Sequence, residues 1–276
     1  MKFSLIVDSC CDATEALIKE LNLIKIPLNL MLGEREIVDN EQLDIEQFML
    51  DMAACTDKVG SSAPAPTLYQ EAFDKEENAF AVTLSSRLSS SYSSAMLGKE
   101  MMEATSNDVY VFDSKSASAG QLLIVLKIRE FAALGLAKTD IIQRVEDFIQ
   151  HMKTYFVLDN IDNLMKNGRL SKVKGKLINL LNIKPLLGSD GDGNIVSYSN
   201  VKGQTKIVKK LVDTITESGK NTVGEHAVIS HCNNEDLANR LKQAIAERFQ
   251  FKDIVVVPTG GVSSLYANHK GIILAF

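Results

Sequence analysis

A chain of 276 residues, 45% of them apolar and 24% charged, is long for a single core and favours two packed units. Its net charge of −5 argues against a general nucleic-acid binder, which needs a basic face. No apolar run nears the ~20 residues of a membrane span, and the start, "MKFSLIVDSCCDATE", turns acidic too soon for a signal peptide.

In chain order, "FSLIV" (3 to 7) reads as a strand ending on Asp8-Ser9. "DATEALIKEL" (12 to 21) then reads as a helix with Ala16, Leu17 and Leu21 on one face and Asp12 as its N-cap. "IKIPLNLML" runs to a turn at Gly33 and a return strand, "REIVD". "DIEQFMLDMAA" (44 to 54) is amphipathic, with Ile45, Phe48, Met49 and Met52 facing inward. Glycine and proline make "VGSSAPAP" (59 to 66) a loop, and a short helix through Tyr69 and Phe73 follows. The strand "AFAVTL" leads into "LSSRLSSSYSSA" (84 to 95), where seven of twelve residues are serine. A helix opening near Ser89 would carry Tyr92, Ala95, Met96 and Met102. "DVYVFDS" (108 to 114) is another strand closing on Asp-Ser, and helices are expected over 117 to 134 and 138 to 150.

The second half starts near Tyr155 with a strand, a helix stopped at Asn167-Gly168, a helix over 173 to 182 and another strand. "DGDGN" marks a tight turn between strands. Helices over 203 to 218 and 234 to 248 flank the strand "HAVIS", and "DIVVVP" follows. The expected fold class is α/β in two domains. Residues 1–152 would form a mostly parallel sheet with flanking helices, and 153–276 a second α/β domain packed against it. The two Asp-Ser endings would then lie at carboxyl ends of strands, where open α/β sheets bind ligands.

Chemistry-bearing motifs are few. The chain has neither a GxSxG elbow nor a GxxxxGK[ST] phosphate loop. His226 and His231 are five apart on one strand and point to opposite faces, and His151 ends a helix, where a cation is favourable anyway. Cys10, Cys11, Cys55 and Cys232 lack the spacing of a zinc site and suit reduced thiols in a cytoplasmic protein. The serine cluster admits two readings. It is a cap with a solvated first turn, or it gathers N–H groups and neutral hydroxyls around an anion at a helix start. Ser61-Ser62 supplies a second hydroxyl pair.

"VDSCCD", "VDNEQLDIEQF", "SSAPAP", "LSSRLSSSYSSA", "VFDSKSASAG" and "NGRLSKVKGKLINLLNIKPLLGSDGDGNI" resemble, in order, the motifs of the DegV family. The resemblance runs from Val7 to about Ile195 and continues more weakly beyond. It implies a cytoplasmic, two-domain α/β protein of fatty acid metabolism and lipid transport, without metal, cofactor or catalytic constellation. Such a protein holds a long-chain fatty acid between its domains and presents the carboxylate to an ATP-dependent fatty acid kinase. Carried over residue by residue, the family's Thr-Ser-x-Pro-x-Pro loop falls on Ser61 to Pro66 and its Leu-Ser-Gly-Thr turn on Leu88 to Ser91. Ser61 and Ser89 would then grip the carboxylate, with Ser62 and Ser90 as neighbours. The family's Gly-Gly-Arg falls on Asn167-Gly168-Arg169, so Arg169 would contact the kinase, with Lys172, Lys174 and Lys176 close by. The family's C-terminal His-x-Gly-Pro-Gly is absent; its histidine's place falls on Tyr266, with His269 three residues on. Two other functions compete: an acyl hydrolase using Ser89 with His269, and a carrier of another amphiphile or of a phosphorylated metabolite.

Overall fold

The computed structural model describes residues 3–103, 106–170, 183–203 and 205–276. Strands β1 (Ser4–Asp8), β2 (Leu23–Ile26), β6 (Asn78–Thr83) and β7 (Asp108–Asp113) form one sheet in the order β2-β1-β6-β7, every pair parallel. Parallel neighbours need a crossover, and α1 (Glu15–Leu21) and α4 (Ser91–Glu100) provide two of them. Because both faces are covered, the strand cores are apolar without alternation: Leu5, Ile6 and Val7 are buried, as are Phe80, Ala81 and Val82. The N-cap of α1 is Thr14, whose Oγ1 accepts from Leu17 N at 3.3 Å, and not Asp12, which tertiary bonds draw into the interior. Helices α3 (Pro66–Asp74) and α4 cross closely at Gly98. A Cβ there would lie 2.6 Å from Pro66 O and 2.8 Å from Tyr69 Cβ, so a residue that normally weakens a helix permits this packing.

Between β2 and β6 the chain makes an antiparallel sheet, β4-β3-β5, from β3 (Asn29–Leu32), β4 (Arg35–Val38) and β5 (Val59–Ser62), with α2 (Ile45–Ala54) inserted. The return strand after Gly33 is as expected, but 59 to 62 is a strand and not a loop. Val-Gly-Ser-Ser has little strand preference of its own; the open edge of β3 supplies the partner, with Leu30 opposite Ser61 and Met31 opposite Gly60.

The remaining strands, β8 (Thr154–Val157), β9 (Ile183–Ser189), β10 (Ile195–Lys202), β11 (His226–His231), β12 (Asp253–Pro258) and β13 (Ile272–Ala275), form a six-stranded sheet. Its order is β10-β9-β8-β13-β11-β12, and only β11 and β12 pair in parallel. Helices α8 (Thr205–Ser218) and α9 (Glu235–Ala246) cover one face through Ile207, Leu211, Leu237 and Leu241. On the other side lies α5 (Ala119–Ala133), followed by α6 (Lys138–His151). Helix α5 packs on β6 and also on β11 and β13, so one apolar cluster contains Phe80 and Val82 together with Val228 and Ile273. Two short helices, α7 (Asp162–Lys166) and α10 (Gly261–Ala267), complete the order. The expected helix at 173 to 182, with Lys172, Lys174 and Lys176, lies outside the described residues. No helix among the described residues is long and apolar enough to cross a membrane.

Candidate ligand cavity between the sheets

The carboxyl ends of β1 and β6 face the six-stranded sheet across an apolar cavity. Alternate residues Thr154, Phe156 and Leu158 turn toward it from β8 and its continuation, and Ile273 lies opposite Phe156. Leu84, Leu88, Leu164, Ile195 and Val262 complete the apolar wall. The cavity volume is about 110 Å³.

Four of the residues expected at the site line this cavity together: Ser61, Ser89, Arg169 and Tyr266. Ser61 Oγ is 3.0 Å from Tyr266 Oη. Ser89 Oγ is 3.0 Å from Ser91 Oγ and accepts from Ser91 N at 3.2 Å. Arg169 donates from Nε to Leu88 O at 3.3 Å and from its guanidinium to Asn167 O, and its Cζ lies 5.9 Å over the Tyr266 ring. The turn that aims Arg169 follows from its sequence. Gly168 takes φ +73° after α7, and Arg169 N returns to Leu164 O at 2.9 Å. Asn167 Nδ2 donates to Val59 O at 2.8 Å, which fastens this turn to β5.

Ser62, Ser90 and His269 do not join them. Ser62 is exposed on the opposite face of β5 from Ser61, as strand alternation requires. Ser90 is the exposed N-cap position of α4 and makes no side-chain cap bond. His269 is exposed and borders a separate surface depression with Met49 and Asn233. None of the four histidines lines the cavity, so the Ser89–His269 pair does not form. Two of the seven clustered serines bind neighbouring loops. Ser85 Oγ donates to Gly193 O at 2.9 Å, Ser86 N to Asp113 Oδ1 at 3.0 Å, and only Ser89 of the seven reaches the cavity. The Asp-Ser endings are loop anchors: Asp8 accepts from Leu84 N at 2.6 Å and Ser9 Oγ from Leu28 N at 3.0 Å.

Sequence reasoning missed the device that places Tyr266. Helix α10 carries Val262, Ser263, Tyr266 and Ala267 to the cavity wall, and two buried aspartates from the first forty residues hold its start. Gly260 N donates to Asp12 Oδ1 at 2.8 Å, Gly261 N to Asp39 Oδ1 and Val262 N to Asp39 Oδ2, both at 3.0 Å. Ser118 Oγ donates to the other oxygen of Asp12. Burial pushes Asp12 and Asp8 up to about 6, partly opposed by these hydrogen bonds and, at Asp8, by Gln121; burial raises Asp39 as well. Cys10 also lines the cavity, but burial and the nearby Asp8 and Asp12 push its thiol well up, which makes it a poor nucleophile. Among the described residues, no group of three His, Cys, Asp or Glu side chains could hold a metal ion.

The DegV family model, described as "Uncharacterised protein, DegV family", matches residues 2–275. A DegV domain-containing protein of Streptococcus pneumoniae is 32% identical over 280 residues, covering 100% of this chain and 99% of the relative. Among solved structures, a DegV family protein of Ruminococcus gnavus with vaccenic acid matches at TM-score 0.94 and 35% identity, over 99% of each chain. The Streptococcus pneumoniae fatty acid kinase (Fak) B3 protein loaded with linoleic acid matches at TM-score 0.90 and 31% identity, over 100% of this chain and 99% of that one.

Proposed function

The chain belongs to the DegV family, and from that premise we propose that it is a non-catalytic carrier of one long-chain fatty acid. The observation that carries this reading is the cavity with an apolar interior and a mouth of hydroxyls and one guanidinium. The acyl chain lies along β8, and the carboxylate meets Ser61, Tyr266 and Ser89. About 15 buried methylenes at ~0.8 kcal/mol each give a gross ~12 kcal/mol, so chain burial dominates affinity even after the costs of association. Hydrogen bonds at the mouth fix which end stays there. The expected histidine's place is taken by Tyr266, whose phenol lies 3.0 Å from Ser61 Oγ and can donate to a carboxylate.

A mouth that leaves the carboxylate beside the half-buried Arg169 suits presentation to a kinase that phosphorylates the bound acid. Arg169 both shapes the mouth and offers charge to that partner. Titration with a long-chain acid and with the alcohol of equal length tests the carrier reading: the acid binds more tightly, and equal binding would remove the hydroxyls from it. Incubation with acyl esters and thioesters tests the absence of catalysis, since turnover lost in Ser89→Ala would establish a hydrolase. The partner is tested by phosphorylating the bound acid with the host's fatty acid kinase. Equal rates for wild type and Arg169→Ala, with lipid still bound, would remove Arg169 from that contact.

A further inference from the structure

The carrier reading leaves the inner end of the cavity unexplained, and that end is polar. Strand β8 sets the axis. Leu158 leads into α7 and Arg169 at the mouth, and Thr154 lies four residues, about 13 Å, back along the strand. Tyr155 is opposite Gly188, which places Ser189 beside Thr154, and Ser189 is itself opposite Ile195. Here the β9–β10 turn closes over the cavity. Gly193 is buried with φ +93°, a Cβ on it would lie 2.3 Å from Ser85 Oγ, and Ser85 Oγ holds its carbonyl at 2.9 Å.

A methyl terminus would meet hydroxyls at this closed end. Most hydroxyls of the wall donate to a protein acceptor: Ser118 to Asp12, Ser189 to Lys115 O at 3.2 Å, Ser263 to Cys10 O at 3.4 Å. Ser116 and Thr154 differ. Both are buried, their oxygens are 2.8 Å apart, and among the described residues neither side chain has another partner. Two hydroxyls carry two protons, and only one can lie in the bond they share. The other O–H has no acceptor, and a buried donor without one is costly. The backbone of α5 stands behind the pair, since a Cβ on Gly120 would lie 2.1 Å from Ser116 Oγ and 3.1 Å from Thr154 Oγ1. The open direction is the cavity, which both residues line. Another hydroxyl pair on the wall, Ser61 with Tyr266, is assigned to the carboxylate.

We propose, on the basis of the carrier reading, that Ser116 and Thr154 form a second polar subsite for a fatty acid whose chain carries an oxygen remote from the carboxylate. A hydroxyl or keto oxygen there accepts a hydrogen bond from the spare O–H. An unsubstituted chain leaves the donor unmet or traps a water on it.

The test is a binding series: an unsubstituted long-chain acid and its isomers with a hydroxyl beside the carboxylate, at mid-chain and at the terminus. Each is titrated against wild type, Thr154→Val and Ser116→Ala. One isomer with a remote hydroxyl should bind wild type about three- to tenfold more tightly than the unsubstituted acid. In both variants that preference should vanish, while the unsubstituted acid binds at least as well as before. If no remote hydroxyl improves binding to wild type, or the preference survives both variants, the subsite is wrong. The wild-type series decides the matter even where a variant fails to fold. Failure of every acid to bind, the unsubstituted one included, would overturn the carrier reading itself.

Discussion

Replacing Asp39 with alanine should loosen the wall that carries Tyr266. Asp39 is 6% exposed, and its two oxygens each accept one N–H from the start of α10 at 3.0 Å. A hydrogen bond to a charged acceptor contributes ~1.5–3 kcal/mol, so the two are worth roughly 3–6 kcal/mol. Removing the carboxylate also returns its burial cost, the same cost that raises its pKa. The net loss should be about 2–4 kcal/mol, and Asp39→Asn, which keeps one acceptor oxygen, should lose about half of that. Gly261→Ala attacks the same contact from the other side, because a Cβ there would lie 2.4 Å from Asp39 Oδ1 and 2.6 Å from Leu43 Cδ2. Urea unfolding provides the measurement, with the midpoint lowered at an unchanged slope. Fatty-acid affinity should fall in parallel, because Tyr266 and Val262 ride on α10. An Asp39→Ala protein within about 0.5 kcal/mol of wild type would refute the idea that this aspartate positions the helix.

The buried aspartates also predict an unusual pH response. Burial pushes Asp8 and Asp12 up to about 6 from 3.8 for an ordinary carboxyl, so between those values the folded protein binds more protons than the unfolded one. Their contribution to stability is therefore largest below about pH 4 and is lost as pH rises through 6. It amounts to roughly 3 kcal/mol per group at full expression. Urea midpoints at pH 5 and pH 7.5 should differ more for wild type than for Asp12→Asn; identical differences would refute the assignment. At the mouth, Ser61→Ala and Tyr266→Phe should each weaken fatty-acid binding about three- to tenfold, measured by displacement of a fluorescent acid. The double variant should lose less than the product of the two, because Ser61 and Tyr266 share one hydrogen bond. Additive losses would mean that the two hydroxyls act apart.

Where a local pattern decided the outcome, the sequence was readable. The apolar runs around Leu5 to Val7 and Phe80 to Val82 became buried parallel strands. "DGDGN" became a hairpin turn with Gly191 and Gly193 at positive φ, its Asp190 accepting from Asp192 N and Asn194 N. Partners distant in the chain overturned other expectations. Asp12 suits an N-cap locally, yet Gly260 and Ser118 outbid the α1 backbone for it, and nothing near position 12 announces either. Ser61 looked like part of a loop until the edge of β3 was available. Helix α10 was hidden because "GVSSLYA" has little helical pattern and depends on Asp39 from 222 residues away. The seven serines seemed too many for a cap, and two of them, Ser85 and Ser86, bind neighbouring loops at one sheet edge. Of the residues that line the cavity, Ser61, Ser89, Arg169 and Tyr266 were named through family resemblance; the Ser116–Thr154 pair carried no local signal.

One measurement bears most directly on the carrier reading: native mass spectrometry of the protein as purified from cells, followed by organic extraction and identification of whatever is released. The account predicts a one-to-one complex whose extra mass is a single long-chain fatty acid, with an oxygenated acid enriched where the cell supplies one. A protein that emerges without lipid and takes up no long-chain acid when offered it, or one that carries a phosphorylated metabolite instead, would contradict it.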